Sequence, residues 1–121
     1  MLTISIKEDK LIRDKIGAPD SKVLLCSEDG VEKGYIAFTQ NGYILDIVGF
    51  EVYFCDKLEG ESYIIADTLI KSLGSYALNH SCFYIECSVK ELFDTLEKFS
   101  FSQKENKMTV TLAQLFKVCK N

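Results

Sequence analysis

Between Tyr43 and Asn79 the periodicity of the chain changes once, and that change constrains the fold more than any other feature. Tyr43 to Phe54 is long and nearly continuously apolar, as expected of a central strand covered on both faces. From about Ser62 the spacing becomes helical: Ala66, Leu69, Ile70, Leu73 and Ala77 form one stripe, with Asp67, Lys71 and Ser75 opposite. A second apolar strand follows at Cys82 to Cys87. A long helix between two such strands predicts a parallel pair joined by a right-handed crossover.

The flanking segments fill in the order. Leu2, Ile4 and Ile6 alternate with polar residues as a strand, and Leu11, Ile12 and Ile16 follow helical spacing up to a stop at Gly17 and Pro19. Val23 to Cys26, Gly34 to Thr39 and Tyr43 to Phe54 are separated by Asp29-Gly30 and Asn41-Gly42, dipeptides that favour tight hairpin turns, so a three-stranded antiparallel meander is predicted. Gly49 marks a potential bulge. One extra residue there would bring Asp46 and Glu51, of opposite parity, onto one face. Ser88-Val-Lys-Glu91 reads as a capping box opening a helix to about Lys98, with Val89, Leu92, Phe93 and Leu96 inward. Phe99 to Ser102 and Met108 to Leu112 read as a closing hairpin. The prediction is an α+β fold: a mixed sheet with helices on both faces.

The 121 residues are expected to form one domain spanning 1–121. A net charge of −4 without a basic stripe argues against nucleic acid as a partner. No apolar run approaches the roughly 18 residues of a membrane span, and no signal-peptide pattern is present, so a cytoplasmic protein without membrane partners is expected. The five cysteines form no C-x-x-C pair, and one histidine leaves little for a metal; reduced core thiols and no metal are expected.

Over roughly residues 20 to 112 this order of elements resembles the GCN5-related N-acetyltransferase (GNAT) superfamily, with an abbreviated N-terminus. The resemblance implies that acetyl-CoA lies where the meander's last strand and the next parallel strand splay apart. Its pantetheine arm would pair with backbone of the first of these, at Val52, Tyr53 and Phe54. The pyrophosphate would sit on the opening of the following helix, at Tyr63, Ile64, Ile65 and Ala66, where a helix dipole and unpaired N–H groups coincide. The superfamily's loop carries Arg or Gln, two variable residues, Gly, one variable residue, then Gly or Ala. Here Glu61 stands at the basic position, Ile64 at the first glycine, and Ala66 alone fits. Leu96-Glu-Lys-Phe-Ser-Phe101 matches the region where the superfamily has a catalytic tyrosine, and leucine replaces it.

The resemblance implies a carboxylate base on the meander strand. Glu51 is the first candidate and Asp46 the second, against the plainer role of a solvated or lysine-paired carboxylate. Tyr84 is the candidate acid in place of the lost tyrosine, against simple packing. His80, at a helix end, reads as structural. Ile65 is expected in the core, whereas Ile64 would face a cofactor. Two functions follow: an acetyl-CoA-dependent N-acetyltransferase of a small-molecule or peptide amine, or a catalytically inactive GNAT-like interaction module; a homodimer is possible with either.

Overall fold

The computed structural model describes residues 2–116. Strand β1 (Leu2–Lys7) is followed by helix α1 (Lys10–Ile16), which Asp9 caps by accepting from the N–H of Ile12 and Gly17 closes in the left-handed region. Strands β2 (Lys22–Glu28), β3 (Val31–Asn41) and β4 (Ile44–Val52) form the meander. Its first turn has φ of 53° at Asp29 and 83° at Gly30, the double left-handed geometry that the Asp-Gly signal implies. Helix α2 (Glu61–Asn79) then crosses to β5 (Tyr84–Cys87), which lies parallel to β4. A 3-10 turn at Lys90–Leu92 leads into α3 (Phe93–Glu97), and β6 (Ser102–Lys104), β7 (Lys107–Thr111) and α4 (Leu112–Leu115) complete the described chain. The seven strands make one mixed sheet in the order β1-β2-β3-β4-β5-β7-β6.

The sheet has unequal faces. On one, Phe38, Leu45, Ile47 and Ile85 pack against Leu69, Ile70 and Leu73 of α2, with Leu96 of α3 and Leu115 of α4 in the same cluster. On the other, Ile12 of α1 packs on Val23, Leu25, Tyr35 and Ala37. α1 thus covers the meander, while the face of β5, β7 and β6 on that side carries no helix among the described residues.

The bulge falls beside Gly49. Ala37 pairs with Gly49 and Phe38 with Ile47, which leaves Val48 without a partner on β3. Leu45, Ile47 and Phe50 therefore all reach the α2 core, and Asp46 and Glu51 share the opposite face. Close approach at the far end of β4 depends on Gly34 of β3, where a Cβ would lie 2.6 Å from the Glu51 carbonyl oxygen. Gly34→Ala is expected to destabilise the protein by about 1–3 kcal/mol, read from urea unfolding, because a backbone atom and not a flexible side chain must move.

Three expectations are corrected. Ser88 does not cap a helix: Val89 stays extended and is itself the residue preceding the 3-10 turn, without a side-chain cap bond. Glu91 is then the second helical residue instead of the third, so the reciprocal geometry of the box is lost. A real capping box stands at Thr111 and Gln114, opening α4, a helix not foreseen. The closing strands begin later than expected, at Tyr84 and Ser102, because Cys82 still donates to Ala77 at the end of α2 and Phe99 and Phe101 serve as core residues around the end of α3.

Candidate functional site

Pairing between β4 and β5 runs only from Ile44–Tyr84 to Ile47–Cys87. Beyond that point β4 continues to Val52, while the chain after Cys87 turns away toward α3. Among the described residues the edge of β4 from Val48 to Val52 that faced β5 thus has no strand partner, and its backbone groups need another one. A cavity of about 350 Å³ occupies the V, with Phe50, Val52 and Leu58 as apolar walls, Thr95 of α3 opposite, and both signs of charge in its lining, Lys57 and Lys98 beside Glu51 and Asp56.

The loop closing this cavity is shaped by two left-handed residues, Phe54 and Gly60, both at φ 61°. Gly60 precedes α2 and supplies no side-chain cap. Ser62 ties the loop down instead, its hydroxyl accepting from the Glu59 N–H at 3.0 Å and lying 2.9 Å from the Glu59 carbonyl. The first intrahelical bond here is Ile64 N–H to Gly60 C=O, 3.2 Å. The N–H groups of Glu61, Ser62 and Tyr63 are therefore the ones a helix leaves without internal acceptors.

The residues singled out in the sequence are dispersed around this V. Val52 and Glu51 line the cavity. Tyr53 turns to the other face and packs beside Tyr35 beneath α1, and Phe54 is 90 % exposed. Tyr63 stacks on Phe99 with ring centroids 5.2 Å apart. Ile64 is exposed, one residue past the free donors, while Ile65 and Ala66 are buried in the core. Tyr84 pairs with Ile44 on the far side of the V's apex. Seven residues of β4 separate that register from Glu51, roughly 20 Å along a strand, so the two do not meet. Tyr84 instead lines a shallow groove of about 450 Å³ on the helix-free face, with Glu86, Lys107 and Thr109. His80 ends α2, its Nδ1 2.8 Å from the Tyr76 carbonyl and its ring stacked on Tyr76 at 3.8 Å, a structural arrangement.

The two carboxylates differ in their surroundings. Glu51 is held by Lys15 of α1 at 2.7 Å, and that contact raises the Lys15 pKa. Asp46 lies one residue before the strands part, opposite Glu86 in the parallel register. Burial, and then the Glu86 charge, push the Asp46 carboxyl above its ordinary range, while Lys107 pulls it back. Lys107 itself pairs with Glu86 at 2.9 Å. Cys26, Cys82 and Cys87 are buried free thiols; burial pushes Cys87 up to about 11. Cys55 is exposed on the cavity wall, and Cys119 lies outside the described residues. Among the described residues no group of His, Cys, Asp and Glu could hold a metal ion, and no helix is long and apolar enough to cross a membrane.

No family model and no curated protein matches the sequence. Solved structures do match. An acetyltransferase of the GNAT family from Elizabethkingia anophelis with acetyl-CoA bound aligns over 91 % of this chain and 97 % of its own, with a TM-score of 0.65 and 12 % identity. The ribosomal-protein-S18-alanine N-acetyltransferase of Escherichia coli aligns over 93 % and 94 %, at 0.69 and 9 %. A Bacillus subtilis acetyltransferase in complex with CoA aligns over 92 % and 99 %, at 0.65 and 12 %. The fold is the GNAT fold. At such identity the likeness carries the fold alone, so the chemistry rests on this chain's own residues. Within the GNAT frame, sequence reasoning missed Lys57 and Lys98. They lie outside the motif positions, one in the loop before α2 and one after α3, and only the fold brings them to one cavity.

Proposed function

We propose that this protein is an N-acyltransferase that takes an acetyl thioester carried on coenzyme A and passes the acyl group to a small-molecule or peptide amine. The observation that carries this reading is the cavity in the V, which joins an unpaired strand edge, apolar walls and two lysines that offset the carboxylates of Glu51 and Asp56. The strand edge offers the amide groups that a pantetheine arm can pair with. Lys57, Lys98 and the opening of α2 offer positive charge to a phosphate. The thioester then lies toward the apex, beside the bulge at Val48. A backbone N–H there can stabilise the oxyanion that develops when the amine attacks.

The acceptor amine approaches from the opposite, helix-free face, along the groove of Glu86, Lys107 and Tyr84. Of the two carboxylates, Asp46 is the better general base. It stands at the apex, and its raised pKa brings it closer to the amine it must deprotonate. Glu51 would have to leave Lys15 before accepting a proton, so its role is to hold α1 against the end of β4. Tyr84 belongs to the groove wall, away from the thioester; as the C–N bond forms and the C–S bond breaks, coenzyme A leaves as its thiolate and takes a proton from solvent, while Asp46 takes the proton lost by the amine. Tyr84→Phe is expected to leave kcat within about threefold while altering KM for the amine, in steady-state kinetics with saturating acetyl-CoA.

The test of function is direct: acetyl-CoA is incubated with a panel of amino acids, polyamines and peptides, and products are read by mass spectrometry. Enzyme-dependent acetylation of one amine class is expected. Glu61, an acidic residue at the helix opening, is the observation that favours the inactive interaction module. Absence of any acetylated product across the panel would select that reading.

A further inference from the structure

We propose that the acceptor is the N-terminal end of an uncharged peptide, about four residues of which lie across β5, β7 and β6 on the helix-free face. This rests on the acyl-transfer reading and names the substrate class of its acceptor groove.

The sheet register sorts this face into three rows. Asp46, Glu86, Thr109 and Ser102 stand directly opposite one another on β4, β5, β7 and β6 and make the central row. Ile44, Tyr84 and Thr111 lie two residues to one side, and Lys107 with Lys104 two residues to the other. Two adjoining hollows, which share Tyr84, Lys104 and Thr109, join the rows into one groove. The central row begins at the apex of the V, where the amine must meet the thioester, and ends three strand spacings away, about 14 Å. An extended chain covers about 3.5 Å per residue, so about four residues reach from Asp46 to Ser102.

The charges of the groove select among amines. Glu86 and Glu105 line it against Lys104 and Lys107, so the four offset one another, with Glu86 and Lys107 in direct contact at 2.9 Å. Asp46, beside Glu86, adds the remaining negative charge and makes no hydrogen bond or ion pair with the described residues. One ammonium therefore completes the balance. A polyamine brings further positive charge toward Lys104 and Lys107, and a free amino acid brings its carboxylate against Asp46 and Glu86, both unfavourable at such range. A small monoamine satisfies Asp46 but leaves the rest of the row unused. The Thr109 and Ser102 hydroxyls have no hydrogen-bond partner among the described residues, and each can both donate and accept. Peptide groups offer the matching acceptor and donor atoms without charge, and an apolar side chain finds Ile44 and Tyr84 beside the row.

Steady-state kinetics on the full chain, with saturating acetyl-CoA and the C-terminal amides of alanine and of alanine peptides two to six residues long, tests this. The value of kcat/KM is expected to rise at least about tenfold from one residue to four and to stay within about twofold from four to six. Spermidine and free alanine should each be at least about tenfold poorer than the tetrapeptide amide. A smaller gain with length, or spermidine or alanine closer to the tetrapeptide than that, would overturn the proposal and leave acyl transfer intact. Product from the wider amine panel but from none of these peptides would do the same, and no product from any amine would overturn both. Thr109→Val combined with Ser102→Ala removes both hydroxyls with little change of strand propensity. It should lower kcat/KM for the tetrapeptide at least about fivefold more than for alanine amide, through KM. An equal loss for both acceptors would mark a merely structural effect and contradict the row as the part of the site that reads the peptide.

Discussion

Asp46→Asn is expected to lower kcat for acetyl transfer by about a hundred- to ten-thousandfold, the usual worth of a positioned general base. The amide keeps the shape and the polar surroundings of Asp46 while removing the proton acceptor, so folding should survive. The pH profile adds the sign. A base acts when deprotonated, and burial together with Glu86 raises the Asp46 pKa above 3.8. The acid limb of the wild-type kcat/KM profile should therefore lie above that of an ordinary carboxylate, with activity lost as pH falls through it. Glu86→Gln removes the nearer like charge and should move the limb to lower pH. A Glu51→Gln variant should retain most of its turnover. Loss of turnover in Glu51→Gln with retention in Asp46→Asn would reverse the assignment of the two residues.

Lys57→Glu combined with Lys98→Glu should weaken binding of acetyl-CoA by at least about a hundredfold, equivalent to about 2.7 kcal/mol. In the proposed site each substitution would remove a charge-assisted contact to phosphate and add repulsion, in a lining that already holds Glu51 and Asp56. Both lysines are exposed, so unfolding free energy should change by no more than about 0.5 kcal/mol. Equilibrium binding by calorimetry beside a urea titration separates the two effects. Unaltered affinity would mean that the phosphate lies elsewhere.

The fold was largely legible because its signals are local. Asp29-Gly30 and Asn41-Gly42 specify the meander, and the change of period after Phe54 specifies the crossover. The bulge was legible too, since Gly49 interrupts an otherwise largely apolar strand. Ser88 misled because a capping box depends on the backbone leaving the extended region at one particular residue, which a four-residue pattern does not determine. Site residues were less legible. The expected cofactor contacts at Tyr53 and Phe54 assumed a regular strand, yet β4 ends at Val52 and the following residues turn away to the opposite face and to solvent. Naming Glu51 as candidate base and Tyr84 as candidate acid of one reaction assumed that neighbouring strands bring their candidates to one place, whereas register separates them along the strand. Lys57 and Lys98 have no sequence signature at all, since their proximity is created by tertiary packing.

The proposed function places the pantetheine arm of coenzyme A in the V between β4 and α3. Backbone amide chemical-shift mapping by NMR during titration with coenzyme A tests it most directly. Shifts are expected at residues 48–52, 57–63 and 95–98, with Tyr84 and residues 104–107 unmoved until an amine is added. A spectrum unchanged at millimolar coenzyme A, or changes confined to the face of Tyr84 and Lys107, would contradict the claim.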